Sequence, residues 1–398
     1  NWNSIQQEGA SALADVLKVN TTLISLDLSL NDIKDQGATA IAHSLKENAT
    51  LESLNLSDIN LRGEGTIAIA DAMKVNTALK SLNLSANTFK EKGITTLVHS
   101  LKFNTTLTSL DLSSIRDIKE DRGIDISDLL KVNSTLTMLN LSSNYMKEEG
   151  AIAIADAIKV NSSLISLYLS SNQFKEKGAT VIADGLKLNS TLTSLDLSFN
   201  YMKDEGAFAI ADALEANTTL KLLKLSLNDI RDAGAIAIAY ALKGNTTLKF
   251  LNLSINDIRD EGAIAIAYAL KINTSLESLN LDLNSIEEVG AKAIADALQV
   301  NTTLESLSLS DNKLGFNGLI TIAKALTYNP TLLYLDISDK YDSELSDLQG
   351  FSSTFHYLEG LFKILIGEDG AEVLGIAFQM KSRCVTLMKY RYYLIRKA

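Results

Sequence analysis

The chain has 398 residues, with 37 Lys and Arg against 48 Asp and Glu, for a net charge of −11. That balance speaks against nucleic-acid binding, which draws on clustered positive charge. Hydrophobic residues make up 46% of the chain, enough to bury a core, while a single Cys excludes a disulfide framework and fits a reducing compartment. No Pro/Gly/Ser-rich break divides the chain, and no apolar run reaches the roughly 18 residues that span a bilayer.

From its first residues the chain is inside a repeat. Asn3, Ile5 and Gly9 stand 28 residues before Asn31, Ile33 and Gly37, so the array is expected to begin in the middle of a unit. The first complete unit starts at Leu23, and its leading Leu recurs at Leu51, Leu79, Leu107, Leu136 and onward to Leu332. Ten of the eleven intervals are 28 residues; the interval from Leu107 to Leu136 is 29. A period this constant identifies a repeat architecture.

Within each unit the alternation of Leu26 and Leu28 predicts a short strand with one buried face, and the Ala-rich run that follows predicts a helix. Acids stand two residues before a Gly, as at Asp35, Glu91, Glu176, Asp204, Asp232 and Asp260, where each is expected to favour the N-terminus of its own helix. The helices end at Asn20, Asn48, Asn76, Asn104 and their equivalents, expected in the left-handed conformation that commonly closes helices. A second Asn column (Asn31, Asn87, Asn144, Asn172, Asn200) is expected to satisfy backbone groups where the chain leaves the strand, stacking as a ladder. Ile59, Ile115 and Lys340 interrupt it, and the Ile115 unit is also the 29-residue one, which marks it as an irregular and weak repeat.

The motif L-x-x-L-x-L-x-x-N, with a 28-residue period and a full helix per unit, resembles the ribonuclease-inhibitor-like leucine-rich-repeat proteins over about residues 1–335. Similar arrays occur in the repeat regions of NOD-like receptors, in the activating protein of the Ran GTPase, and in effectors of intracellular bacteria. The resemblance implies an α/β fold: a curved leucine-rich-repeat solenoid, or horseshoe, with a parallel β-sheet on the concave face and α-helices on the convex face. Residues 1–339 form the array in this reading. Residues 340–398, where Leu361, Ile364, Ile366 and Leu387 echo the unit, are expected to be degenerate C-terminal capping repeats. No acid follows Glu372 while Lys381, Arg383, Lys389, Arg391, Arg396 and Lys397 do, so this end is either a charged blunt edge or a basic surface for an anionic membrane.

Catalytic chemistry finds no support. His43 and His99 hold the same helix position two repeats apart, which places them roughly 16–20 Å from each other if neighbouring helices pack about 8–10 Å apart, too far to share a metal. No G-x-S-x-G, phosphate-loop or H-E-x-x-H pattern is present, and Cys384 has no His near it in sequence. No catalytic residue, cofactor or metal is therefore expected.

The residues two, four and six after each leading Leu should line the concave sheet, and most are Ser, Asn or Asp. The exceptions cluster at Tyr168, Leu222, Lys224 and Phe250, joined by Phe199, Leu227 and Ile255 at the seventh position of the same units. An apolar group around a lone Lys, rimmed by Ser and Asp, has the composition of an interface centre. Two placements remain open for Phe199, Leu227 and Ile255: on the surface or tucked under the sheet rim. The expected function is a non-catalytic module that binds a protein partner, with a basic patch, on the concave sheet as an effector or regulator. Regulation of a small GTPase and binding of an anionic membrane surface are the alternatives. The expected location is the cytoplasm, or the host-cell cytosol for a bacterial effector.

Overall fold

The computed structural model describes residues 3–115, 118 and 122–338. Among them, twelve strands from β1 (Ser25–Asp27) to β12 (Tyr334–Asp336) alternate with twelve helices from α1 (Gln7–Val19) to α12 (Gly315–Leu326). The strands form one parallel sheet in sequence order, each pairing with the next in a constant register such as Ser25↔Ser53 and Leu26↔Leu54. Strands in a sheet lie about 4.8 Å apart, whereas packed helices need about 8–10 Å. Joining the two layers once per repeat therefore bends the array, with the sheet inside and the helices outside.

The core lies between the layers. Leu51, Leu54 and Leu56 of one unit are at most 1% exposed, and their equivalents repeat along the array with Ile and Ala from the helices. Ala dominates the inward helix positions because adjacent helices approach closely. At Gly262 a Cβ would fall 2.8 Å from an Asp232 carboxylate oxygen and 3.0 Å from the Ala235 Cβ, so this one position in the first turn of its helix is kept for Gly.

Two side-chain ladders tie unit to unit. In the ladder at the strand end, the Asn200 amide donates to the carbonyls of Leu169 (3.0 Å), Leu197 (3.0 Å) and Ser198 (3.2 Å), and its oxygen accepts from the Asn172 N–H (3.0 Å). This is the role expected of that column. At the helix end the expectation needs correction. Asn20, Asn133, Asn189, Asn217 and Asn245 have extended backbone, with φ −72 to −81° and ψ 124 to 132°, and none of the column is left-handed. The position is fixed by hydrogen bonding instead. Asn217 accepts from the N–H groups of Thr219 (3.0 Å) and Leu220 (2.8 Å), and donates back to the carbonyls of Leu186 (2.8 Å) and Asn189 (3.1 Å).

The acids before each Gly also act across the repeat boundary. Asp232 accepts from the N–H groups of Arg259 (2.8 Å) and Gly262 (2.9 Å), capping the following helix and not its own; Asp35, Asp204 and Asp260 do the same. Glu, one methylene longer, pairs with a cation instead: Glu176 meets Lys203 at 2.6 Å, and Glu148 meets Lys177 at 3.6 Å. The Lys203 ammonium holds the Glu176 carboxyl below its ordinary pKa.

In the 29-residue unit the sheet register is unbroken from Ser109 to Met138. There α5 (Gly123–Val132) has ten residues, the shortest of the described helices. Residues 339–398, where the capping repeats and the basic end are expected, lie outside the described residues.

Asn200 satisfies several buried backbone groups at once, and each group left unpaired costs about 1–3 kcal/mol. Asn200→Ala is expected to lower the urea-unfolding free energy by roughly 3 kcal/mol, whereas Ser198→Ala changes it by less than about 0.5 kcal/mol.

Candidate partner-binding face

Four strands carry the exceptional side chains: β6 (Ser166–Tyr168), β7 (Ser194–Asp196), β8 (Leu222–Lys224) and β9 (Phe250–Asn252). Register brings Leu222 directly beside Phe250, and places Tyr168, Asp196, Lys224 and Asn252 in one line across the sheet. Leu222, Phe250, Tyr168 and Lys224 are all half-buried on the concave face, while the intervening Leu167, Leu195, Leu223 and Leu251 are fully buried beneath them.

The fourth position of the unit has a structural job. Asp27, Asn55, Asn83, Asp111, Asn140, Asp196, Asn252 and Asn280 each accept a hydrogen bond from the backbone N–H two residues on, at 2.8–3.0 Å. Tyr168 and Lys224 stand in this column, as Ser308 does, and neither side chain can accept in the same way; for Ser308 the acceptor comes from Asp282 of the previous unit. Lys224 is the one cation of the group, and it is paired. Its ammonium lies 3.6 Å from the Asp196 carboxylate of the neighbouring strand, in a pair 36% and 13% exposed. The pair leaves the patch centre apolar with little net charge.

The open question at the seventh position resolves to the surface. Phe199, Leu227 and Ile255 are 38%, 42% and 37% exposed, and none is tucked under the rim. All three have φ of +56°, a left-handed backbone that suits Gly, Asn or Asp and is unfavourable for bulky side chains, above all for β-branched Ile. Two residues of this edge escaped the sequence reading. Leu283 continues the row at 41% exposure and φ +53°, and Tyr201 packs against Phe199 with ring centroids 5.2 Å apart. The signal for Leu283 was its place in the same column. For Tyr201 it was a column otherwise polar in the neighbouring units.

Acids surround this edge. Asp229 and Asp257 are exposed beside Leu227 and Ile255, and Asp282 accepts from Ser308 at the end of the adjoining strand and from the Ser310 N–H just beyond it. Two depressions on the described surface lie elsewhere. One of about 380 Å³ is lined by Asp58, Asn60, Arg62 and Lys90, and one of about 210 Å³ by Lys249, Glu277, Glu305 and Thr331. His43 and His99 are exposed on the helices, and His99 meets Phe103 edge-on at 5.8 Å. Among the described residues no cluster of three or more His, Cys, Asp or Glu could hold a metal, and no helix is long and apolar enough to cross a membrane.

In-register parallel strands, Asn ladders and one helix per 28 residues define a leucine-rich-repeat solenoid, a scaffold class that displays an extended surface for binding. The chain belongs to the family described as the NLRC3 leucine-rich-repeat domain, which matches residues 1–344. No curated protein matches it. Among solved structures it is similar to Rad7 in its complex with Elc1 from yeast, at 17% identity and a TM-score of 0.55, over 83% of this chain and 77% of that one. An internalin, InlF, from Listeria monocytogenes is 18% identical over 84% of this chain and 95% of its own, with a TM-score of 0.45. Actin-binding site 2 of leiomodin-1 is 22% identical over 48% of this chain and 95% of its own, with a TM-score of 0.31.

Ile255 gives up little burial and costs about 1–2 kcal/mol of left-handed strain. Ile255→Asn is therefore expected to leave stability within about 1 kcal/mol of wild type. The fully buried neighbour Ile258→Asn is expected to lose more than about 3 kcal/mol, and thermal unfolding of the two variants checks the contrast.

Proposed function

We propose that the chain is a non-catalytic binding module whose concave sheet docks a protein partner at Leu222 and Phe250, with Tyr168, Lys224 and the Phe199–Leu227–Ile255 edge around them. The observation that carries this reading is the coincidence of departures. Within four successive repeats the small polar pattern of the face is replaced by large apolar side chains, a structural Asx acceptor is given up twice, and bulky residues occupy left-handed backbone. Each departure costs the fold something, and all of them add to one exposed surface. Apolar anchors within a polar rim have the composition of interface centres. The similarity to Rad7, solved with its partner Elc1, supports a protein as the ligand class.

The acids at the edge favour a partner with a basic patch, attracted before contact and held in register after it. The single Cys and the Asn-x-Ser/Thr sequences on the strand face, such as Asn83-Leu-Ser, support a cytoplasmic location, because glycans there would cover the docking surface. An effector or a regulator is the role this reading gives the molecule.

Leu222→Ser/Phe250→Ser restores the column's own residue at both positions and is expected to fold as wild type. In affinity capture from lysate, one or a few proteins retained by wild type should be lost from the variant. An unchanged set of retained proteins would place the binding surface elsewhere.

A further inference from the structure

The convex face breaks its own pattern at two neighbouring helices. Along the outside of α9 (Asp232–Gly244) run Ala233, Ile236, Tyr240 and Lys243, and along α10 (Asp260–Leu270) and its cap run Glu261, Ile264, Tyr268 and Lys271. Steps of three, four and three residues put such side chains in one line on a helix. The position of Tyr240 and Tyr268 is Asp in seven of the twelve described helices, His in two and Lys in one. The two Tyr are 65% and 55% exposed, Ile236 and Ile264 are 43% and 42% exposed, and Phe208 of the adjoining α8 (Lys203–Ala216) is 44% exposed. Between Asp232 and Lys243, and again between Glu261 and Lys271, there is no charged residue. The inward sides of both helices are the buried Ala, Ile and Leu of the core. A helix that is apolar all round is normally a covered one, yet among the described residues nothing covers the outside of these two.

The charges at the ends of these two lines differ from those of the other helices as well. On four helices the Asp at the Tyr position holds the Lys three residues on, at 2.7–3.8 Å. With Tyr in that place, Lys243 and Lys271 have no ion-pair partner among the described residues, and neither has Glu261. Lys243 lies across the groove between the helices instead, its ammonium 5.1 Å from the centre of the Tyr240 ring and 4.6 Å from that of Tyr268.

We propose that a second copy of this chain docks here back to back, α9 of each copy lying antiparallel on α10 of the other about a two-fold axis between the helices. The spacing selects this occupant. Residues 233 and 243, like 236 and 240, are centred on 238, and residues 261 and 271, like 264 and 268, are centred on 266. Antiparallel contact therefore sets Ile236 against Tyr268 of the second copy, Tyr240 against its Ile264 and Lys243 against its Glu261, and the axis repeats all three. One row out, Asp212 of α8 falls opposite Lys292 of α11 (Glu288–Leu298), and no like charges meet along these lines. An axis moved onto α9 would set Glu215 against Glu261, and one moved onto α10 would set Ile236 against Asp296. Two convex arcs touch over only a few helices, which is the extent of the apolar departure. A contact of this isologous kind closes at two copies. The inference does not rest on the partner reading, since Leu222 and Phe250 lie on the concave sheet and take no part in it.

Sedimentation equilibrium of the full chain over a wide concentration range tests it. The wild type should pass from monomer to dimer as concentration rises and grow no further. Tyr240→Asp/Tyr268→Asp gives both helices the residue most of the others carry, and should raise the dimer Kd by about 100-fold or more. Lys243→Glu and Glu261→Lys each set like charges against each other across the axis, and each alone should weaken the dimer by about tenfold. Mixed in equal amounts, these two charge variants should form a heterodimer about as tight as the wild-type dimer, because every facing pair is then of opposite sign. Thermal unfolding checks the fold of each variant, and if Tyr240→Asp/Tyr268→Asp fails to fold, the two charge variants and their mixture decide. Leu222→Ser/Phe250→Ser should dimerise as wild type does, so that loss of partner capture and loss of the dimer are read separately. A wild type that is monomeric throughout would overturn the proposal. So would a folded Tyr240→Asp/Tyr268→Asp variant that dimerises as wild type does, or a mixture no tighter than either charge variant alone.

Discussion

The structure depends on side-chain amides that reach the previous repeat. Asn200 and Asn217 each bind carbonyls 28 and 31 or 3 and 31 residues back, so their spacing sets the distance at which one unit can be laid on another. Buried carbonyls that lack a partner are costly. A repeat of the wrong length would misalign both ladders at once, which is the physical reason for a period that departs from 28 only once. The single insertion falls in the unit where the ladder is already broken, at Ile115, and the strand register on either side of it is kept.

Cross-boundary bonds also explain which sequence expectations held. The strand, the helix, the buried Leu positions and the strand-end Asn ladder were legible because each follows from a local pattern repeated in register. The helix-end Asn was misread as a left-handed cap because its partners are non-local: Leu186 and Asn189 lie a full repeat before Asn217. The Asp residues do stand in the first turns of their own helices as read, but their hydrogen bonds to the following helix could not be seen for the same reason. Asp232 and Arg259 are 27 residues apart, and only the stacked structure makes them neighbours.

The candidate site was legible as far as strand parity reached. Tyr168, Leu222, Lys224 and Phe250 fall on alternating positions and lie on the concave face as that alternation requires. The Asp196 partner of Lys224 is visible only by comparing adjacent units. At the seventh position alternation ends in a left-handed turn, so parity could not say whether Phe199, Leu227 and Ile255 point in or out. Leu283 and Tyr201 belong to that same turn. Conformation there is set by the ladder below it, which fixes the backbone and leaves the side chain free to vary from Ser to Phe.

On this account the ladder residues serve the fold, and the departures on β6 to β9 serve recognition at the expense of the fold. The most direct measurement is the urea-unfolding midpoint of a variant that returns the face to its own pattern: Tyr168→Asn, Leu222→Ser, Lys224→Asn and Phe250→Ser together. The account predicts a midpoint equal to or above that of wild type, because two structural acceptors are restored and only half-buried apolar surface is lost. A midpoint well below wild type would show that these side chains are part of what holds the array together, and would contradict the assignment of this face to binding.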